Sequence, residues 1–198
     1  MHINHTNPTI SIILCAYNMA DSIANAIKSV LKQTYVDWEL IIVDDGSTDL
    51  LKNVLSTFLD DSRVKYIYHT NRKLSLSRNT GILLARGTYI TFIDADDMYA
   101  PEHLQSRIDY MQKNAHIDMI HSPVHIIGST EDQFVVDKED PSSLIHVNNC
   151  TIGGTFFGKQ HVFTSTGFDP KQSWGIDYDL CKRIGIKHIV KRFDLPTY

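Results

Sequence analysis

Residues 88–97 read TYITFIDADD, from Thr88 to Asp97. Six β-favouring residues, Thr88 to Ile93, lead directly into Asp94-Ala95-Asp96-Asp97. An apolar strand of this kind, ending in a carboxylate cluster, belongs inside a sheet with its polar tip at one edge. The same pattern recurs earlier in the chain. Thr9 to Ala16 (TISIILCA) is a nearly continuous apolar run closed by Tyr17-Asn18, and Glu39 to Val43 (ELIIV) is closed by Asp44-Asp45-Gly46-Ser47. Val64 to Tyr68 predicts one more short strand.

Helices are expected between these strands. Ile23, Ala26, Ile27, Val30 and Leu31 keep helical spacing behind a cap at Asp21 or Ser22. Leu51, Val54, Leu55 and Phe58 define a second helix. Ser75 to Ala85 predicts a third, with Gly87 in the left-handed stop position. Pro101 suits a first helical position ahead of Leu104, Ile108 and Met111. Strand–helix alternation with connections of this length implies an α/β fold with a mainly parallel sheet flanked by helices. Ligands of such sheets gather at the carboxyl ends of the strands, where the three polar clusters would meet.

The second half is less regular. Asp118 to Gly128 reads as one bent strand or two short ones around Pro123, and Glu131 to Asp140 as a loop or hairpin tip. Gly153 to Gly158 predicts a strand, Lys159 to Thr166 a short helix, Asp177 to Ile184 a helix and His188 to Phe193 a last strand. One domain over residues 1–198 is expected. It falls into two subregions, a regular one over about 1–115 and a smaller one over about 116–198.

Composition narrows the function. With 198 residues, 42% hydrophobic and 21% charged, the chain has the make-up of a soluble globular protein. A net charge of −4 argues against a nucleic-acid partner. No apolar run approaches a membrane span, and Met1 to Pro8 lacks the pattern of a leader peptide. Three widely spaced cysteines form no CxxC pair, which predicts a reduced, cytoplasmic setting.

Two readings of each cluster are open on residues alone. Carboxylates ~4 Å apart repel by about 4 kcal/mol at an effective dielectric near 20. A divalent cation would relieve this at Asp94, Asp96 and Asp97, and oxygen-only ligands favour magnesium, manganese or calcium. The alternative is a solvated turn with Asp97 capping the next helix. Asp44 or Asp45 can accept from a base or ribose, or the segment is a turn capped by Ser47 or Asp49. Tyr17 stacks on a base or closes the core.

In this order and spacing, PTISIILCAYN, QTYVDWELIIVDDGSTD, LSLSRNTGILLARGTYITFIDADD and WGIDYDL resemble the family 2 glycosyltransferases of GT-A fold, over roughly Thr9 to Leu195. The resemblance implies transfer of a sugar from a nucleotide-sugar, usually UDP-linked, to an acceptor hydroxyl with inversion at the anomeric carbon. It implies that Tyr17 stacks on uracil, with Cys15 and Ala16 lining the same pocket, and that Asp45 or Asp44 bonds the ring. Arg78 approaches the nucleotide. Asp94 faces the ribose, Asp96 holds Mn2+ or Mg2+ with Asp97 as alternative ligand, and Asp177 is the catalytic base. The family often reads Gly-Glu-Asp where this chain reads Gly175-Ile176-Asp177, which bears on acceptor contacts. The Q-x-x-R-W segment of processive synthases is absent, so a single transfer is expected. The acceptor would be a glycan or a lipid-linked sugar in cell-surface glycan synthesis. The alternative is a non-catalytic nucleotide-sugar-binding or scaffolding subunit.

The other conspicuous residues carry paired readings. Trp174 stacks on a sugar or packs as core or lid. Gly153-Gly154 lets backbone approach the donor or forms a bulge. His116, His121, His125 and His188 read as structural or surface residues, with His188 a candidate neighbour of the metal. Lys187, Lys191 and Arg192 form a solvated strand edge or contact an anionic lipid surface, which would place the protein peripherally at the inner membrane face.

Overall fold

The computed structural model describes residues 7–198; the part of the leader-peptide reading that concerns Met1 to Thr6 lies outside the described residues. The first half alternates as expected: β1 (Ile10–Ala16), α1 (Ile23–Leu31), β2 (Trp38–Asp44), α2 (Leu51–Ser56), β3 (Val64–Tyr68), α3 (Leu74–Leu84), β4 (Tyr89–Asp94) and α4 (His103–Lys113). There follow β5 (Met119–His121), β6 (Phe134–Val136), β7 (Leu144–His146), β8 (Phe157–Lys159), α5 (Gln160–Thr166), α6 (Ile176–Gly185) and β9 (Val190–Arg192).

One seven-stranded sheet has the order β3-β2-β1-β4-β8-β5-β9. Only β8 runs against its neighbours, antiparallel to both β4 and β5, so the sheet is mainly parallel and continues through both halves of the chain. Every residue of β2 is buried, and in β1 only Cys15 is less than fully buried. The isoleucine-rich strands are covered on both faces, which explains their continuous rather than alternating apolar pattern. One apolar layer joins α1, α2 and α4 to one face of the sheet; the other, with Phe92, Phe156, Phe163 and Leu180, packs α3, α5 and α6 on the opposite face. Fully burying each such side chain stabilises by about 1.5–3 kcal/mol. Among the described residues no helix is long and apolar enough to cross a membrane.

Several local expectations are corrected. Gly87 is not a left-handed helix stop: α3 ends at Leu84 with Ala85 extended, and Gly87 is absent from the residues of positive φ. Gly87 instead lies against β1, where its N–H donates to Ser11 Oγ at 2.8 Å and a Cβ would sit 2.6 Å from Ser11 N. Neither Asp21 nor Ser22 supplies a side-chain cap to α1. Pro101 precedes α4 by two residues, and its carbonyl accepts from Thr34 N instead. Gly153–Thr155 is a 3-10 turn, leaving only Phe157–Lys159 as strand. Of the two readings of Glu131 to Asp140, the hairpin is the one seen: β6 pairs antiparallel with β7, with Phe134 opposite His146. The short, polar-flanked strands of this hairpin carry too little periodicity to be read in advance.

Candidate active site

The parallel register carries the polar clusters to one edge. Ala16 is opposite Asp44 and Cys15 is opposite Asp94, so the ends of β2, β1 and β4 lie side by side. Beyond β1, Asn18 takes a left-handed φ of 55°, receives Thr48 N–H on Oδ1 at 2.8 Å and donates its own N–H to Ser47 Oγ at 2.9 Å. These bonds fasten the Tyr17-Asn18 loop to the turn after β2. Tyr17 is 47% exposed, so it does not close the core.

The two aspartates of that turn have different surroundings. Asp44 accepts Ser47 N–H at 2.8 Å on one oxygen and the Tyr66 hydroxyl at 2.7 Å on the other, so its carboxylate builds the turn around Gly46 (φ 85°). Asp45 Oδ1 accepts Arg72 N–H at 2.7 Å, with His69 Nδ1 3.3 Å away, while no protein donor reaches its second oxygen among the described residues. Burial pushes the Cys15 thiol up to about 12, against the opposing pull of Arg78, so this wall of the site carries a neutral thiol.

Arg78 is the hinge of the site. Its guanidinium is 3% exposed and reaches Asp94 Oδ1 at 2.8 Å and Asp177 Oδ1 at 2.5 Å. Burial alone would lower its pKa, but the charges of Asp177 and Asp94 outweigh that and raise it, so it stays a cation. Asp177 lies in the first turn of α6 and is not its cap; that place belongs to Gly175, left-handed at φ 60°. The second Asp177 oxygen accepts Gly153 N–H at 2.9 Å. Residues 78, 94, 153 and 177 are thereby joined across two carboxylates and one guanidinium.

Asp97 does not cap α4 either. Its Oδ2 accepts the Tyr198 hydroxyl at 2.6 Å, and that hydroxyl also lies 3.2 Å from Asp94 N. Burial raises the Asp97 pKa against the Tyr198 bond, and the charges of Asp94 and Asp96 add to the rise. Burial and the carboxylates of Asp94 and Asp97 hold the Tyr198 phenol well above its usual range. Asp96 is exposed and makes no hydrogen bond to protein among the described residues. Acidic oxygen donors crowded in this way, with Asp96 left without a protein partner among the described residues, are a setting that a hard divalent cation would relieve, so the residues fit magnesium or manganese.

Two openings adjoin this centre. A groove of about 890 Å³ is lined by Asp96, Asp97 and Tyr198 and runs along Lys28 of α1 and Lys32 just after it. A cavity of about 720 Å³ contains Asp177 and is walled by Trp174, Tyr178 and the β6–β7 hairpin. Lys138 of the hairpin donates to the Trp174 carbonyl at 2.7 Å, and Glu139 accepts from the Tyr178 hydroxyl. Trp174 is half exposed at the mouth, so it is not a core residue. Ile176, where the family often has glutamate, packs against the apolar layer that includes Leu180 and Phe92.

Sequence reasoning missed Tyr198, which lies 104 positions from Asp94. It also left the role of Gly153-Gly154 open. A Cβ at Gly153 would sit 2.4 Å from Asp177 Oδ1, and one at Gly154 would sit 2.1 Å from Tyr198 Oη. The pair therefore makes room for two site side chains. His188 is not beside Asp96: it precedes β9 next to Asp118, at the amino edge of the sheet. Lys191 and Arg192 are exposed on the edge strand β9, and Arg192 pairs with Asp194 at 2.6 Å, matching the solvated-edge reading.

Comparison with known proteins adds to this geometry. The model of the family "Glycosyl transferase family 2" matches residues 11–185. The chain belongs to glycosyl transferase family 2. This family 2 chain is 35% identical over 147 residues to the UDP-Glc:alpha-D-GlcNAc-diphosphoundecaprenol beta-1,3-glucosyltransferase WfgD of Escherichia coli, covering 73% of the chain and 57% of the relative. It is 40% identical over 116 residues to an uncharacterized glycosyltransferase of Haemophilus influenzae, covering 58% of the chain and 46% of the relative. The chain thus spans about half the length of these two relatives. In fold it is similar to S. aureus TarS 1-349 in complex with UDP-GlcNAc (TM-score 0.76, 17% identity, 96% of this chain and 57% of that one). It is equally similar to the mannosyltransferase PcManGT of Pyrobaculum calidifontis in complex with GDP-Man and Mn2+ (TM-score 0.74, 16% identity, 97% and 56%). The family 2 chain therefore has the mixed α/β GT-A architecture.

Proposed function

We propose that this glycosyltransferase moves a sugar from a UDP-sugar to an acceptor hydroxyl in one inverting displacement, assisted by Mn2+ or Mg2+. The observation that carries the reading is the Arg78 bridge, which draws Asp177 of α6 to Asp94 at the end of β4.

On the donor side, Tyr17 offers an exposed ring beside the turn that holds Asp45. The second oxygen of Asp45 is available for an N–H of the base, while both Asp44 oxygens are already used within the turn. Asp45 is therefore the base-reading residue and Asp44 its support. Asp94 is turned toward Arg78 and the ribose side. Asp96 is the leading metal ligand and Asp97 the second. When bound, the cation supplies Lewis-acid charge to the departing diphosphate.

On the acceptor side, Asp177 takes the hydroxyl proton. Arg78 and Gly153 N–H each hold one of its oxygens by a single bond, which orients the carboxylate and leaves lone pairs for the proton. Nothing else need be charged at this step, because a single inversion requires one base. The cavity around Asp177 combines Trp174 and Tyr178 with the apolar hairpin residues Phe134, Val136 and Leu144, a lining suited to a sugar ring carried on an apolar group. The E. coli relative's diphosphoundecaprenol-linked substrate supports a lipid-linked acceptor here, the UDP-GlcNAc complex of TarS supports a UDP donor, and the Mn2+ complex of PcManGT supports the metal.

Calorimetric titration of UDP tests the donor site. Mn2+ should tighten UDP binding, and Asp96→Ala should remove most of that gain, a loss of at least about tenfold or 1.4 kcal/mol. Equal UDP affinity with and without metal in the unaltered protein would refute the clamp.

A further inference from the structure

A second group of metal-ligating side chains lies at the opposite edge of the sheet. Asp118 immediately precedes β5, His161 stands in the first turn of α5, and His188 precedes β9. One ligand atom from each lies within 4.8 Å of the other two; among the described residues, this is the three-residue group of His, Cys, Asp or Glu that comes together in this way. The register shows which edge it occupies. Tyr89, the first residue of β4, is opposite Lys159, and Met119 is opposite Val190, so the group sits at the amino ends of β4, β5 and β9. Asp94 marks the other end of β4.

We propose that Asp118, His161 and His188 form a binding site for a first-row transition ion of the zinc class, separate from the oxygen-rich cluster at Asp94–Asp97. The ligand chemistry differs between the two. Two imidazoles with one carboxylate suit zinc, cobalt, nickel or copper, whereas carboxylates alone suit magnesium and manganese. The carboxylate is already oriented from outside. Asp118 Oδ1 accepts from Lys159 Nζ at 2.9 Å, and Oδ2 accepts Ile189 N–H at 3.0 Å while lying 3.6 Å from His188 Nδ1. Lys159 is itself anchored on the Ala115 carbonyl at 2.9 Å. Such outer partners hold a metal ligand in place.

The imidazoles are arranged to close. The His161 and His188 rings meet edge-on, centroids 5.8 Å apart and planes at 60°. Tetrahedral zinc with bonds of about 2.0–2.2 Å needs ligand atoms roughly 3.3 Å apart. The contraction from the present spacing is within reach of a rotation of the exposed His161 side chain. Three protein ligands leave a fourth position for water. The Lys159 ammonium on the far carboxylate oxygen weakens the site, which sets the expectation at reversible binding rather than a permanent structural ion. Bound metal would join three segments that are distant in sequence, and so would stabilise the fold by mass action.

The test uses the full chain and the metals themselves. Zinc titrated calorimetrically should bind one-to-one and raise the melting temperature, and cobalt should give the visible absorption of a tetrahedral ion. His161→Ala, on an exposed helix turn where the fold tolerates it, and His188→Ala should each weaken zinc by at least about tenfold. Asp96→Ala, at the opposite edge of the sheet, should leave zinc binding unchanged. Absence of saturable zinc binding, or zinc affinity in both His161→Ala and His188→Ala equal to that of the unaltered protein, would overturn the assignment.

Discussion

The two edges of the sheet treat their charges differently. At the amino edge, the buried carboxylate of Glu39 accepts from Ser11 Oγ at 2.7 Å, pairs with Lys65 and lies 3.2 Å from Arg86. Asp118 likewise has Lys159. At the carboxyl edge, Asp94, Asp96, Asp97 and Asp177 gather, and Arg78 is the one lysine or arginine paired with any of them among the described residues. A folded protein keeps such an excess only where something else meets it, because buried or clustered like charges oppose folding. The amino-edge carboxylates have basic partners within the fold, and the carboxyl-edge carboxylates are left short of them, as the proposed cation and donor would require.

Breaking the functional side of this contrast has the largest expected effect. Asp177→Asn removes the proton acceptor but keeps the shape that Arg78 and Gly153 hold. Transfer should fall about 10²–10⁴-fold while UDP affinity holds, as read by turnover and titration on the same preparation. Unchanged turnover would take Asp177 out of the base role. Next comes Gly154→Ala. Its Cβ would strike the Tyr198 phenol, and relieving that contact should cost about 1–3 kcal/mol in a denaturant melt and displace the hydroxyl that holds Asp97.

The smallest effect sharpens the amino edge. Burial would raise the Glu39 pKa, but the Lys65 and Ser11 hydrogen bonds outweigh it and lower the value from 4.5. A depressed folded-state pKa gives stability that is present above the unfolded value and lost as pH falls through the folded one. Glu39→Gln should therefore cost about 1–2 kcal/mol near pH 7, and the gap to the unaltered protein should narrow below pH 4.5. A gap independent of pH would mean that shape rather than charge holds Glu39.

Much of this was legible in the linear chain. The strands β1, β2 and β4 are apolar on both faces, so their composition alone announces a covered parallel sheet. Each ends in a polar cluster, and parallel topology leaves those clusters no other place to meet. The second half resisted reading because its strands are three residues long and lie where β8 reverses direction, which no local pattern signals. Gly87 was misread for a related reason: what it accommodates is Ser11 of β1, 76 positions away in sequence.

The sequence by itself determined the fold class and the shared edge of Tyr17, Asp45 and Asp96, because strand composition and the residues at strand ends are local properties; the candidacy of Asp177 came from the family resemblance alone. Tertiary structure alone decided that Arg78 is a buried bridge, that Asp44 serves its own turn, that Tyr198 steadies Asp97, and that His188 belongs to Asp118. Each of these depends on a side chain meeting a partner far away along the chain, and such a meeting is set by how helices and strands pack rather than by any neighbour in sequence.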